Sequence, residues 1–246
     1  MKNILISLTV FNKDPASLQI YRFVNSSEHN FNFEFLITDN SQKPIFFQNH
    51  DNNLHYYHHG HNGGTRQAIL NTIDFIQGRN EFDFVIFLDQ DTQSDFVIEY
   101  LNRALRNVDM PQVYVPIVKN QHDDVISPCW INSFGTIKGN IKNYETAILS
   151  GLLLSRDHLL QVGYIPKVFW LDYLDHFLFK TFLPIPCLVS VTVNHNLSVS
   201  DISKVSTKRL LNIYFSELAF YWHCMPDKLH IGLTKFIFKI VRLGFR

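Results

Sequence analysis

The stretch that decides the fold is "FVIFLDQDTQ", Phe84–Gln93, where five apolar residues run directly into two aspartates one residue apart. Burying a carboxylate without a partner is costly, so a core strand that ends in Asp-Gln-Asp must open onto something that meets the acids. The run is short, apolar and rich in Val, Ile and Phe, which predicts a buried strand over 82–91. If the strand persists, side chains alternate with period two and Asp89 and Asp91 point to the same side. Carboxylates so placed repel unless a cation lies between them. Hard divalent ions take carboxylate oxygens and leave positions for waters and substrate phosphates. A bare D-x-D also begins solvated loops, its second Asp capping the next helix; the position at the close of an apolar strand favours the metal.

Working outward, residues 3–10 (NILISLTV), 33–41 (FEFLITDNS), 54–59 (LHYYHH) and 112–118 (QVYVPIV) also read as strands. Helices are expected over 17–27, over the segment that follows "GHNGG", and over 94–108, with Ser94 as N-cap. Strands alternating with helices predict βαβ units and a largely parallel sheet. Polar clusters follow four consecutive strands: Thr9–Asn12, Asp39–Asn40, Asn62–Gly64 and Asp89–Asp91. Ligands of open parallel sheets bind outside the carboxyl ends of the strands, so the four clusters describe one rim.

The chain has 246 residues, 46% of them hydrophobic, enough for a substantial core in one large domain. Its formal net charge is zero, which gives no basic field for nucleic acid. Cys129, Cys187 and Cys224 form no CxxC pair, and so sparse a set fits a reducing compartment. The N-terminal apolar run is broken at Asn12 and Asp14, too early for a signal segment, and no run reaches spanning length. The expected organisation is an α/β domain over 1–205 and a helical extension over 206–246. After Pro226 the extension interleaves Lys235, Lys239 and Arg242 with apolar residues, and no acid follows Asp227. Such a helix can lie in a membrane interface through residues 228–246, its lysines toward anionic lipid; it can equally pack on the core with a solvated basic face.

The succession "LTVFN", "LITDNS", "HNGGTRQAILN" and "VIFLDQDT" resembles the inverting family-2 glycosyltransferases of the GT-A fold, and the DQD form resembles their rhamnosyltransferase-like branch, which builds bacterial surface polysaccharides such as O-antigen and capsule. The resemblance implies a nucleotide pocket lined by Thr9, Phe11 and Asn12, with Asp39 accepting from the base. It places Asn62, Gly63 and Gly64 near the nucleotide, with Gln67 or Asn71 behind, and Asp89 and Gln90 toward the donor. It implies Mn²⁺ or Mg²⁺ on Asp91 and Asp89, with His195, after the strand in "VTVNHNLS", completing the shell. The segment 148–182 resembles the family's acceptor side and puts the catalytic base at Asp175, with Asp172 as the other candidate; on a helix, i and i+3 share a face. Where the family has an acid two residues after the base and an Arg four beyond, this chain has Phe177 and Thr181. The loop "NSFGTIKGN" (132–140) is of a kind that borders the acceptor in this fold.

The implied donor is a nucleotide-diphosphate sugar, dTDP-rhamnose first and UDP-hexose or UDP-galactofuranose next. The implied acceptor is a glycan or an undecaprenyl-linked glycan, and the implied place is cytoplasmic, peripheral at the inner face of the plasma membrane. Rival readings exist. A haloacid-dehalogenase-type phosphatase also ends a strand in DxD, but Gln93 stands where that motif wants Thr or Val. A sugar nucleotidyltransferase has a loop like "GGTR" (63–66), though after its first strand. A nucleotide- or carbohydrate-binding module with an inactive site is the non-enzymatic reading. The histidines at 55, 58, 59 and 61 have no metal-site spacing and are expected at the rim or surface.

Overall fold

The computed structural model describes residues 1–14, 17–20, 29–45, 53–92, 95–106, 113–195 and 205–244. The elements run β1 (Lys2–Val10), β2 (Phe31–Asp39), β3 (Leu54–His58), α1 (Gly64–Ile76), β4 (Phe84–Asp89), α2 (Val97–Ala104), β5 (Val113–Lys119), β6 (Val125–Ser127), β7 (Cys129–Ile131), β8 (Ile137–Gly139), β9 (Leu153–Ser155), α3 (Arg156–Leu160), α4 (Leu174–Thr181), β10 (Cys187–Asn194), α5 (Thr207–Cys224) and α6 (Leu229–Gly244). Most of the expected helix over 17–27, and Ser94, lie outside the described residues.

Among the described residues the main sheet has the order β10-β5-β9-β4-β1-β2-β3, with β6 paired to β5. Its pairings are parallel except at β9, which runs antiparallel to both β4 and β5, and at β6. The sheet is apolar on both faces because both are covered, which is why its strands read as unbroken apolar runs. Ile4, Ile6, Leu8, Phe84, Ile86 and Leu88 face α2, while Leu5, Val85 and Phe87 face the layer formed by α1, α4 and α5.

Register sets the site. Thr9 pairs with Thr38 on one side and Asp89 on the other, and Asp39 pairs with His58, so β1, β2, β3 and β4 end at one level. Two expectations need correction. β4 stops at Asp89 rather than running to Asp91: the amide of Thr92 bonds back to the Asp89 carbonyl at 3.0 Å, and Gln90–Asp91 form a turn. Asp172 precedes α4 instead of sharing a helix face with Asp175, because Tyr173 (φ 60°) turns the chain before the helix begins at Leu174.

In the expected helical extension the described residues form α5 and α6, joined by a 3₁₀ turn at Pro226–Lys228. Ser206 caps α5, its hydroxyl accepting from the Arg209 amide at 3.3 Å. Phe220 and Tyr221 of α5 are fully buried in the same apolar cluster as β4 and α4.

Candidate functional site

The strand ends open onto a cavity of about 650 Å³, lined on the sheet side by Thr9, Phe11, Asn40, Asp89, Gln90 and Asp91, and on the other by Ser150, Asp172, Asp175, His195 and Arg209. Asn62 and Gly64 also line it. The turn after β4 is stitched to β1: the Gln90 amide donates to the Thr9 carbonyl at 3.2 Å, and the Gln90 side-chain oxygen accepts from the Phe11 amide at 2.8 Å. Gln90 therefore holds the turn that carries Asp91.

Asp89, Asp91 and His195 come together from β4, its turn and the end of β10. Each offers a ligand atom, and these atoms lie within 4.8 Å of one another. His195 is buried, its Nδ1 lies 3.7 Å from Asp91 Oδ1, and that nitrogen has no hydrogen-bond partner among the described residues. A buried ring nitrogen without a partner beside a carboxylate has the donor capacity of a metal ligand. Burial raises the Asp89 carboxyl above its ordinary range; the Ser150 hydroxyl and His195 oppose the rise, and the charges of Asp91 and Asp175 add to it. A divalent ion would relieve both the burial and the crowding, so the donor set of two carboxylates and an imidazole fits Mn²⁺ or Mg²⁺.

The β2 end of the pocket does not present Asp39. Asp39 is fully buried and its oxygens are taken: Oδ1 accepts from the amide and hydroxyl of Ser41, Oδ2 from the Tyr56 hydroxyl and the Ile45 amide. Burial acts to raise this carboxyl, and the bonds from Ser41, Tyr56 and Ile45 outweigh it and hold the group below its ordinary range. Asp39 thus braces the loop after β2 and does not reach the cavity wall. Its neighbour Asn40 does, while bonding the Gly63 amide and the Gly64 carbonyl. Asn12 (φ 53°) donates its amide to Ser41, and Asn62 Oδ1 accepts from the Gly64 amide. Gln67 and Asn71 bond each other, and Asn71 bonds Thr38, so both serve the α1–β2 interface.

Gly64 is required by geometry. Its φ is +65°, and a Cβ there would stand 2.1 Å from the Trp170 carbonyl oxygen. That carbonyl accepts from the Arg66 amide at 3.1 Å, which ties the start of α1 to the segment leading into Asp172 and Asp175.

The two candidate bases have different company. Asp172 is clamped by Arg209, with a nitrogen–oxygen separation of 2.8 Å on each of its oxygens. Burial pushes its carboxyl up to about 6 against the pull of Arg209, and the charge of Asp175 adds to the rise. Asp175, in the first turn of α4, accepts among the described residues from the adjacent His176 amide, at 2.9 Å, with the His176 ring 3.7 Å away. Asp175 thus lines the cavity without a cation on its oxygens of the kind that Arg209 gives Asp172. Tyr173, between them, adopts a left-handed conformation unusual for a bulky residue; its buried hydroxyl is held by Glu217.

Two lining residues carry no role in the sequence reading. Ser150 belongs to the Ser-Gly pair before β9 and bonds Asp89. Arg209 comes from α5, and the signal for it was indirect: acids at 172 and 175 with no Arg at 181 call for a cation from elsewhere.

No protein-family model matches the sequence, and neither does any curated protein. Solved structures match by fold. S. aureus TarS superposes with a TM-score of 0.52 at 14% identity over 96% of this chain and 43% of TarS. TarS 1–349 in complex with UDP-GlcNAc gives 0.52 at 12% identity, over 97% of this chain and 72% of that one. GalNAc-T7 with UDP, GalNAc and Mn²⁺ gives 0.53 at 10% identity, over 89% of this chain and 49% of that one. The chain thus spans less than half the length of full TarS and GalNAc-T7, and identities this low speak to fold alone. A mostly parallel sheet flanked by helices, closed by a C-terminal helical segment and matched to these structures over nearly its whole length, is the GT-A fold.

Proposed function

We propose that the protein is an inverting, metal-dependent glycosyltransferase that moves a sugar from a nucleotide-diphosphate donor to a glycan or lipid-linked acceptor in bacterial surface-polysaccharide synthesis. The observation that carries this reading is the convergence of Asp89, Asp91 and the partnerless His195 nitrogen on a cavity that also holds Asp175. The UDP-sugar of the TarS complex and the UDP and Mn²⁺ of GalNAc-T7 support the same ligand class here.

Inversion needs a single displacement at the anomeric carbon, a base for the acceptor hydroxyl and charge compensation for the departing diphosphate. Asp89, Asp91 and His195 would hold a divalent ion, which would supply that compensation. Thr9, Phe11, Asn40, Asn62 and Gly64 shape the nucleotide end. Asp175 takes the acceptor proton. Arg209 keeps Asp172 occupied and places a cation in the wall. The acceptor is undecaprenyl-linked or another glycan, met at the inner membrane face through residues 228–246. Of the donors the resemblance implies, a UDP-sugar has the support of the TarS complex, and dTDP-rhamnose is the alternative.

The test is thermal shift with a panel of nucleotides, with and without Mn²⁺, followed by turnover of sugar nucleotides. Nucleoside diphosphates should stabilise the protein only when Mn²⁺ is present, and one donor should turn over. Stabilisation by orthophosphate analogues alone would point to the phosphatase instead, and metal-dependent binding without turnover to an inactive module.

A further inference from the structure

We infer that the outward face of α6, with Trp222, seats the protein on an anionic lipid surface, apolar side down and lysines turned inward. A basic amphipathic helix that merely covers a core puts its apolar stripe on the protein and its lysines in water. Here Leu229, Ile231 and Phe236 pack inward, but two lysines are turned toward the protein with them. Lys239 is ion-paired with Glu217, which is only 6% exposed. Lys235 donates to the Phe134 carbonyl and to the Tyr221 hydroxyl, each at 2.8 Å. The helix cannot roll to exchange faces, because Gly232 lies against α5 where a Cβ would come within 2.6 Å of the Tyr221 ring.

The side left outward carries Leu233, Ile237, Phe238 and Val241, each between 45% and 67% exposed, with Trp222 of α5 at 64%. These spacings put the four on one stripe of the helix. Several large apolar side chains exposed on one side of a helix mark an interaction site.

The charge beside the stripe identifies the occupant. α6 has no acidic residue, Glu217 of α5 is consumed by Lys239, and Arg242 is exposed next to Val241. An apolar stripe with no acid on its helix and Arg242 exposed beside it matches an interface of acyl chains and anionic headgroups. At 16 residues α6 is shorter than the roughly 20 a spanning helix needs, and no described helix is long and apolar enough to cross a membrane. A second copy of the chain is the weaker match: five side chains fall far short of the roughly 20–30 residues a side of a stable interface.

This deepens the membrane contact in the reading above, and it is tested without donor or metal, so its outcome is separate from that of the transferase assay. The full chain is sedimented with vesicles of phosphatidylcholine containing phosphatidylglycerol, and with phosphatidylcholine alone. Binding should require the anionic lipid. The double substitution Ile237→Glu with Phe238→Glu should weaken the partition by about tenfold or more, a tenfold loss being about 1.4 kcal/mol. Ile185→Glu, an exposed apolar position elsewhere, should leave it unchanged. Light scattering and the circular dichroism spectrum verify monomer and fold. Equal binding to neutral vesicles, equal loss in Ile185→Glu, or no binding at all overturns the inference. So does a dimer in solution that the double variant dissolves, which would make a second copy the occupant.

Discussion

Replacing Asp172 by Asn asks what governs the acid beside Arg209. Its side chain is 16% exposed, and burial lifts its carboxyl from an ordinary 3.8 to about 6 despite the guanidinium on both oxygens. Because the folded value lies above the unfolded one, the folded state holds an extra proton in the window between them. The contribution to stability is therefore full below about 4 and is lost as pH rises through about 6. Carried through linkage, the two values give the wild type roughly 1 kcal/mol of added stability from this group on going from about pH 7.5 to about pH 5. Asparagine does not titrate, so the variant lacks that gain. It also leaves Arg209 without its ionic partner, a loss of roughly 1–3 kcal/mol at both pH values. Urea unfolding of the two proteins at both pH values measures the difference of differences, in which the other titrating groups cancel. The wild type should gain about 1 kcal/mol over the variant on acidification. Parallel behaviour would mean that the ion pair cancels burial, and a relative loss in the wild type that it outweighs burial; either would refute the reasoning. Turnover in Asp172→Asn should stay well above that of Asp175→Asn; the reverse order would exchange the roles of the two acids.

Four further outcomes are expected. Asp91→Ala should abolish metal-dependent stabilisation by nucleotide and lower transfer by about 100-fold or more, with an unchanged circular dichroism spectrum; near-normal transfer would remove Asp91 from the metal site. Ser150→Ala, which leaves Asp89 without its hydroxyl partner, should weaken Mn²⁺ binding measured by calorimetry by about 10- to 100-fold. Asp175→Asn should keep nucleotide binding by thermal shift and lose about 100- to 10,000-fold in turnover. Gly64→Ala should cost about 2–5 kcal/mol in urea unfolding, from a left-handed residue and a clash with the Trp170 carbonyl. Gly60→Ala, equally left-handed (φ +72°) but in open space, should cost only the first part, about 1–2 kcal/mol; equal losses would deny the contact.

The rim was legible because its signals are local. An apolar run that ends in a polar cluster announces a strand end, and parallel pairing puts consecutive strand ends at one level, as the register of Thr9 with Thr38 and Asp89 shows. What depends on contacts far apart in the chain was not legible. β9 is three residues long, too short for periodicity, yet it runs antiparallel between β4 and β5 and brings Ser150 to Asp89. Asp39 was expected at the nucleotide base from the resemblance, while its hydrogen bonds come from Ser41, Ile45 and Tyr56, the last on the neighbouring strand. The pair Asp89–Asp91 converges on His195 although the stated reason for it, a strand running on through Asp91, is not what the chain does.

The C-terminal helices illustrate the same limit with a consequence for function. Counting lysines and apolar residues along 228–246 gives an amphipathic helix but does not say which side faces the protein. Hydrophobicity alone would turn the apolar stripe inward. A buried acid opposes that choice. Glu217 sits inside the α5–α6 contact, bonded to the Tyr173 hydroxyl and paired with Lys239, and an unpaired charge there would be far more costly than an exposed leucine. The Lys239–Glu217 pair joins the Gly232–Tyr221 packing in setting the roll of α6, and the roll exposes the apolar stripe. The same glutamate holds Tyr173, whose left-handed turn sets Asp172 and Asp175 at the cavity wall. One buried carboxylate thus orients both the outer face of the C-terminal helix and the acids of the site, so Glu217→Gln should loosen both together: vesicle binding through the α6 stripe and turnover through Asp175 should fall in the same variant, and loss of only one would show that the two are not joined through Glu217.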